Sequence, residues 1–388
     1  MRISLFALGL IVATPHANAA DKAIEAMLAI GLEGKGNAAA ATAWDELTGA
    51  PDPTTLLACL DAMDDASPLA ANWLRSAAEV IAADCAAKDE LPLAGLGEFL
   101  LDRSHDPRAR RFAFELIRGA APDAAEALIP GMLSDPSPEL RRDAVARLMS
   151  QAETLANDGD KQAAAVIYRQ ALSAAVEEQQ VRPIAEALKE LGVEVDLPRH
   201  FGFLMRWHVA GPFDNKDRAG FAAVYQPESG EVDLAAEYDA DGSKVVWQQL
   251  SSSDAFGKID LNKPFGMLKE KLGYAYTEFE SPVARGAELR LGTKNAFKVW
   301  LNGELVFARD EYHRGQRIDQ YQLPVQLRAG KNAILVKACQ NEQTEEWTVQ
   351  WEFRLRVCDA TGSAILSSNR PVSYTHLTLP TNTVTCGC

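Results

Sequence analysis

The hydrophobic and polar positions of this chain change period once, and that change divides it. From Ala20 to about Val195 apolar residues recur at helical spacing, in short Ala-rich segments separated by Pro, Gly and Asp. From Phe201 onward β-branched and aromatic residues alternate with polar ones, as in Trp207-His208-Val209, Val245-Val246-Trp247, Tyr274 to Phe279 and Glu288-Leu289-Arg290-Leu291. The clearest run sets Val349, Trp351, Phe353, Leu355 and Val357 against Gln350, Glu352, Arg354 and Arg356, which predicts a strand with one buried and one wet face. The expected architecture is multidomain, α then β. An N-terminal α-helical repeat solenoid over 20–195 precedes an antiparallel β-sandwich of jelly-roll type over 200–371. The boundary is expected between Val193 and Arg199, where Asp196 and Pro198 break the pattern.

The helical half contains an internal match. Asp106-Pro107 precedes Arg110-Arg111-Phe112-Ala113, and about 31 residues later Asp135-Pro136-Ser137-Pro138 precedes Arg141-Arg142-Asp143-Ala144. Asp or Ser ahead of Pro caps a first helical turn, Pro at the helix start needs no amide donor, and Ala lets neighbouring helices approach. The pattern resembles HEAT repeats, with Ser67-Pro68 leading into Trp73-Leu74 as a further copy. Asp158-Gly159-Asp160 followed by Ala163, Ala164, Ile167, Tyr168, Ala171 and Leu172 resembles the first helix of a tetratricopeptide unit, with Val181 to Leu191 as the second. Stacked repeats offer an extended surface, so this half is expected to engage a protein partner.

In the β half, Phe297-Lys298-Val299-Trp300-Leu301 runs into Asn302-Gly303 and returns as Glu304-Leu305-Val306-Phe307, the signature of a two-residue type I′ hairpin. Such a turn pairs Leu301 with Glu304, Trp300 with Leu305, Val299 with Val306 and Lys298 with Phe307. Phe297, Val299, Leu301, Val306 and Ala308 then form a core face. Lys298, Trp300, Leu305, Phe307 and Arg309 form the other, where Trp300 and Phe307 make an aromatic pair suited to a sugar ring or to a covering loop. Asn302 is read as a turn residue that tolerates positive φ. Together with Leu327-Arg328-Ala329-Gly330-Lys331-Asn332 opening Ala333-Ile334-Leu335-Val336-Lys337, this order resembles the galactose-binding-like β-sandwich, especially the sugar-binding domain of family 2 glycosidases. The resemblance covers roughly Tyr274 to Val357. The leader Trp207 to Asp214 is similar to the first strand of that fold in exported bacterial proteins that join helical repeats to such a sandwich.

Composition narrows the setting. The 388 residues are 47% hydrophobic, enough for two separate cores. A net charge of -15 speaks against a nucleic-acid partner, which would need excess Lys and Arg. Met1-Arg2, the apolar run Ile3 to Ala13 and the small residues Ala17-Asn18-Ala19 read as a signal peptide over 1–19, so the protein is expected to be exported, periplasmic or extracellular. No later segment is long and apolar enough to be an integral membrane span. The stretch 372–388 resembles translated adaptor sequence and is expected to be a non-native tail; Cys386, Cys388 and His376 fall in it. The 6 Cys are too sparse for a disulfide framework. A simple hairpin joining the strands of Cys339 and Cys358 would leave these two roughly 30 Å apart, beyond bridging.

Candidate chemistry gathers on two loops. In Arg309-Asp310-Glu311-Tyr312-His313-Arg314, planar guanidiniums suit bidentate bonds to hydroxyl-rich ligands and Tyr312 or His313 can stack. Metal ligation by Asp310, Glu311 and His313 lacks a second ligand set at diagnostic spacing. The second loop, Cys339 to Trp347, carries Asn341, Glu342 and Trp347; its oxygens suit hydroxyl recognition or a structural calcium, and no other cofactor is expected. Trp300, Arg309, Tyr312, His313, Arg314, Asn341, Glu342 and Trp347 are thus the expected ligand-binding residues. No Gly-x-Ser-x-Gly elbow, His-Glu-x-x-His pair or phosphate-cradling loop occurs, so the chain is expected not to be an enzyme. The expected function is carbohydrate binding by the sandwich, with a structural scaffold of the cell envelope as the alternative and a polysaccharide-active enzyme, suggested only by the charged run Arg309 to Arg314, as a distant third.

Overall fold

A computed structural model describes residues 15–240 and 242–370, with the side chains of residues 15–18 left out. The apolar run of the expected signal peptide and the tail 372–388 lie outside the described residues. Among those described, helices come first and antiparallel strands follow, as the change of period predicts. The chain falls into two compact units that divide between Ala175 and Val176, ahead of the stretch from Val193 to Arg199 where the sequence pattern breaks.

The first unit holds α1 (Pro15–Leu28), α2 (Asn37–Gly49), α3 (Pro53–Asp61), α4 (Pro68–Ala87), α5 (Leu93–Leu101), α6 (Pro107–Ala120), α7 (Pro122–Leu128), α8 (Pro138–Asn157) and α9 (Lys161–Ala174). Neighbours pack in pairs: α1 with α2, α3 with α4, α5 with α6, and α8 with α9. The caps are those the sequence proposes. Asp106 accepts from the amides of Arg108 at 2.8 Å and Ala109 at 3.2 Å, and Ser67 and Ser137 cap α4 and α8 ahead of Pro68 and Pro138.

Asp135, the counterpart of Asp106 in the internal match, does something else. It takes Arg110 in a two-pronged pair, at 2.8 and 2.7 Å, with both side chains almost fully buried. Arg110 also donates to the Leu100 carbonyl, and the equivalent Arg141 donates to the Asp135 carbonyl at 2.9 Å. The repeated Arg therefore ties one helix pair to the next turn of chain. The tetratricopeptide pairing needs correction: α9 packs on α8, and its expected partner helix lies in the second unit.

The second unit begins with α10 (Glu178–Glu190) and α11 (Leu197–Phe201) and continues as strands β1 (Arg206–Asp214), β2 (Glu237–Ala240), β3 (Ser243–Val246), β4 (Gln248–Ser251) and β5 (Ile259–Asp260), then the short helix α12 (Asn262–Phe265). The remaining strands are β6 (Lys271–Ser281), β7 (Arg285–Thr293), β8 (Ala296–Leu301), β9 (Glu304–Arg309), β10 (Tyr321–Leu327), β11 (Gly330–Gln340) and β12 (Glu352–Cys358). Six strands pair in the order β4-β1-β6-β11-β8-β9 and four in the order β10-β7-β12-β5, antiparallel throughout. Between the sheets lies one core, including Val209, Phe279, Val299 and Val336 from the first and Leu291 and Phe353 from the second. β11 and β12 thus lie in different sheets and make no hairpin. Cys339 and Cys358 are free and buried, as are Cys59 and Cys85.

The six-stranded sheet is apolar on its outer face as well. Phe213, Tyr274, Tyr276, Leu335 and Cys339 form a second cluster there with Tyr238, Val245 and Trp247, which come from the segment carrying β2 and β3. On β11 this outer parity also holds Lys337, which is 0% exposed. Its ammonium donates to Glu228 Oε1 at 2.9 Å and to the Ala223 carbonyl at 2.6 Å, and packs over the rings of Tyr225 and Tyr274. Glu228 Oε1 also accepts from the Tyr274 hydroxyl at 2.9 Å and the Tyr225 amide at 3.1 Å. Burial pushes Lys337 below the usual lysine range against the pull of Glu228, and burial beside Glu228 pushes the Tyr274 phenol up.

The expected wet face of β12 also needs correction. Glu352 and Arg356 are buried and Arg354 is half-buried. Arg356 donates to Asp319 Oδ1 at 2.6 Å and to the carbonyls of Phe201 and Gly362, so α11 and two loops cover that face. Asp319 also pairs with Arg290 at 3.0 Å. Burial alone would raise the Asp319 carboxyl, but the Arg356 and Arg290 guanidiniums outweigh it and hold it below the ordinary range.

Two predictions follow from these buried charges. Lys337→Met should cost about 3–5 kcal/mol, because Glu228 is left buried without a counter-charge. Lys337→Met with Glu228→Gln should recover much of that, and urea unfolding followed by hydrogen exchange at β11 reads both. Asp319 has a folded pKa below its unfolded value of about 3.9. Its contribution is therefore complete above that value and lost as pH falls through the folded one. Asp319→Asn should be less stable than wild type at neutral pH and should show a shallower loss of stability below pH ~4, measured by denaturation across that range.

Candidate functional site

The two polar loops come together at one end of the six-stranded sheet. His313, at φ 59°, donates from Nε2 to Asn341 Oδ1 at 2.8 Å, and the Trp347 ring stands edge-on to the imidazole with centroids 5.4 Å apart. Tyr312 receives the Asn215 side-chain amide at 3.2 Å, and the same amide donates to the Gln340 carbonyl at 2.9 Å. Arg218 packs 5.3 Å over the Tyr312 ring and pairs with Glu342, which its hydrogen bonds pull down to about 2. Burial pushes the Tyr312 phenol up. Tyr312, His313, Asn341, Glu342 and Trp347 therefore form one cluster, in which His313 bonds Asn341 while Asn215 and Arg218 occupy Tyr312 and Glu342. Trp347 is 56% exposed, and the buried His313 Nδ1 makes no hydrogen bond among the described residues.

Arg309 and Arg314 turn elsewhere. Both pair with Glu311, and Arg309 packs over Tyr321. Trp300 is also separate: Ala296 pairs with Cys339 beside the loop cluster, and four residues along β8 put Trp300 about 13 Å away.

At the hairpin the turn is as expected, with Asn302 and Gly303 at φ 53° and 83° and Leu301 opposite Glu304. Beyond Trp300 opposite Leu305, however, Val299 pairs with Phe307, because Val306 is an extra residue in a bulge. The bulge reverses the parity of the return strand. Phe307 packs on the inter-sheet core and against Tyr321, while Trp300 packs on the outer cluster, so the aromatic pair predicted on one face does not exist.

Trp300 instead lies half-buried in a groove of about 610 Å³ on the outer face of the sheet. Leu335, Ala333 and Tyr276 share its floor, one wall is the chain from Glu228 to Val232, and Arg328 and Lys331 stand at the rim. The indoles of Trp207, Trp247 and Trp351 in this unit donate to Leu204, Tyr238 and Ala338, whereas that of Trp300 makes no hydrogen bond among the described residues.

A pair of asparagines fixes the groove's end. Asn332 is fully buried and accepts from the Arg328 amide at 2.8 Å, donates to the Arg328 carbonyl at 2.9 Å and accepts from the Asn302 side chain at 3.0 Å. Asn302 Oδ1 accepts in turn from the Ala333 amide at 3.0 Å. Sequence reasoning took Asn302 as a turn former only and passed over Asn332, Arg328, Tyr276 and the Glu228 wall. One signal was there: Asn332 shares the parity of Ile334 and Val336, so it is a polar residue at a buried position.

No protein-family model and no curated protein matches the chain. Among solved structures it is similar to the GH31 α-xylosidase from Xanthomonas citri, at 9% identity and a TM-score of 0.20, over 40% of this chain and 16% of that one. The expectation that the chain is not an enzyme is corrected here. A solved structure it is similar to is a glycosidase, at a similarity that decides neither for nor against catalysis, so the chain is not classed as a non-enzyme.

Asn332→Ala should cost about 1–3 kcal/mol, since the Arg328 amide and the Asn302 side chain lose a buried partner. The same change should shift the fluorescence of Trp300, read as the difference between Asn332→Ala spectra with and without Trp300→Phe.

Proposed function

We propose that this is an exported binding protein whose β-sandwich takes a carbohydrate in the Trp300 groove, while its helical unit engages a protein partner. The observation that carries the sugar reading is Trp300 itself. It is a half-buried aromatic ring in the lining of a groove that also holds charged and amide side chains, its indole N–H makes no hydrogen bond among the described residues, and pyranose rings combine an apolar C–H face with hydroxyls. The similarity of the strand and hairpin order to galactose-binding-like sandwiches supports the same ligand class. Export rests on the pattern of Met1 to Ala19, and the partner on the resemblance of the capped, Arg-tied helix pairs to HEAT repeats.

The loop cluster of His313 and Trp347 is the less favoured place for the ligand, because Tyr312, Asn341 and Glu342 already have hydrogen-bond partners there. Calorimetric titration of the full chain against a polysaccharide panel tests the proposal. Trp300→Ala should weaken binding by about 2 kcal/mol, roughly 30-fold in Kd, with the melting temperature little changed. Trp347→Ala should leave affinity as it was. Absence of binding to every polysaccharide, or an unaltered Kd in Trp300→Ala, would remove the reading.

A further inference from the structure

The charges around the Trp300 groove are not all available to a ligand. Glu228 is consumed by Lys337 and Tyr274 beneath the wall. Lys331 pairs with Glu278 at 2.7 Å, and Glu278 also accepts from the Tyr276 hydroxyl at 2.8 Å. Arg328 remains. It is exposed, it lines the groove, and its guanidinium makes no salt bridge or hydrogen bond among the described residues.

Its main chain is nevertheless fixed. Asn332 holds the main chain of Arg328 at both its amide and its carbonyl, and the same Asn332 holds Asn302, two residues from Trp300. The main chain that carries Arg328 and the turn next to Trp300 are thus set in place by one buried side chain, while the guanidinium itself stays unengaged. A planar guanidinium fork matches a carboxylate in two parallel hydrogen bonds, a geometry that a neutral hydroxyl cannot reproduce. With a chain charge of -15, the distant field repels anions, so any anion held here must be held by short-range contacts.

Resting on the carbohydrate reading, we infer that the groove selects a sugar that carries a carboxylate, a uronic acid residue, with the carboxylate on Arg328 and the ring on Trp300. Glu231, on the wall provided by the covering segment, makes no salt bridge among the described residues. A carboxylate placed against Glu231 is repelled, whereas a sugar hydroxyl there donates to it. The acid group therefore points to the Arg328 rim and the hydroxyls to the Glu231 wall, which gives the ligand one orientation.

The test uses the full chain and four probes: an oligogalacturonate, its methyl ester, an alginate oligomer and a sulfated galactan. The oligogalacturonate should bind at least about tenfold more tightly than its ester, the scale of a hydrogen-bonded charge against a neutral group. Arg328→Gln should bring the acid down to the affinity of the ester and leave the ester unchanged, and added salt should weaken only the acid. Trp300→Ala should weaken both. Comparison with alginate shows whether the acid group alone or also the sugar's stereochemistry is read, and binding of either uronate through Arg328 supports the inference. Equal affinity for acid and ester, or indifference to Arg328→Gln, overturns the inference and leaves the carbohydrate reading standing. Preference for the sulfated galactan overturns it in favour of a sulfate site. Failure of all four probes and of the neutral panel removes both.

Discussion

The ion pair between Lys337 and Glu228 is the constraint on which the second unit depends. Lys337 sits in the middle of a central strand, on the face of the sheet turned away from the inter-sheet core, and it is fully buried. A lone ammonium there would be very costly, so the chain that covers it must bring a carboxylate and free carbonyls to that point. Glu228, Ala223 and Phe221 all come from the segment between β1 and β2. Once that segment is pinned, Tyr225 and Tyr238 close over Phe213 and Tyr274, and the outer face becomes a second core. The residues directly after Glu228 are the wall of the Trp300 groove. The site is thus the margin of a cover whose position is set by one charge pair.

The two ends of that groove are held by different physics. At the wall an ion pair sits in a low-dielectric setting, where geometry and full hydrogen bonding decide whether it stabilises at all. At the rim, neutral amides of Asn302 and Asn332 knit two turns together, with Asn332 using both its donor and its acceptor atoms. Neither device moves with modest changes of pH or salt as surface charges would. Arg328, by contrast, is held only through its main chain, so its guanidinium remains free to meet a ligand.

Much of the architecture was legible in the sequence because it rests on local rules. The change of period between the halves, the caps ahead of Pro68, Pro107 and Pro138, and the Asn302-Gly303 turn each follow from a few adjacent residues. What was not legible depended on tertiary cover. Alternation on β12 marks Arg356 as polar, and nothing in it tells that Asp319 and the Phe201 carbonyl will meet that side chain. The bulge at Val306 is a similar case: one extra residue moves Phe307 from one face to the other, and the apolar run from Leu305 to Phe307 reads equally well in either register.

The same reasoning explains why the expected site separated into parts. Polar density along the chain picked out the loops at 309–314 and 339–347, and many of those residues did find partners, within the loops or from Asn215 and Arg218. His313 holds Asn341, Arg218 holds Glu342, and Glu311 takes both Arg309 and Arg314. A loop rich in complementary groups satisfies itself when it folds, and a ligand would then have to displace bonds already made. Binding capacity is left where a group is fixed by its backbone while its side chain lacks a partner. Arg328 and Trp300 meet that condition; Trp300 stood among the residues expected to bind ligand, whereas Arg328 was inconspicuous because it stands beside a turn whose own residues drew the attention.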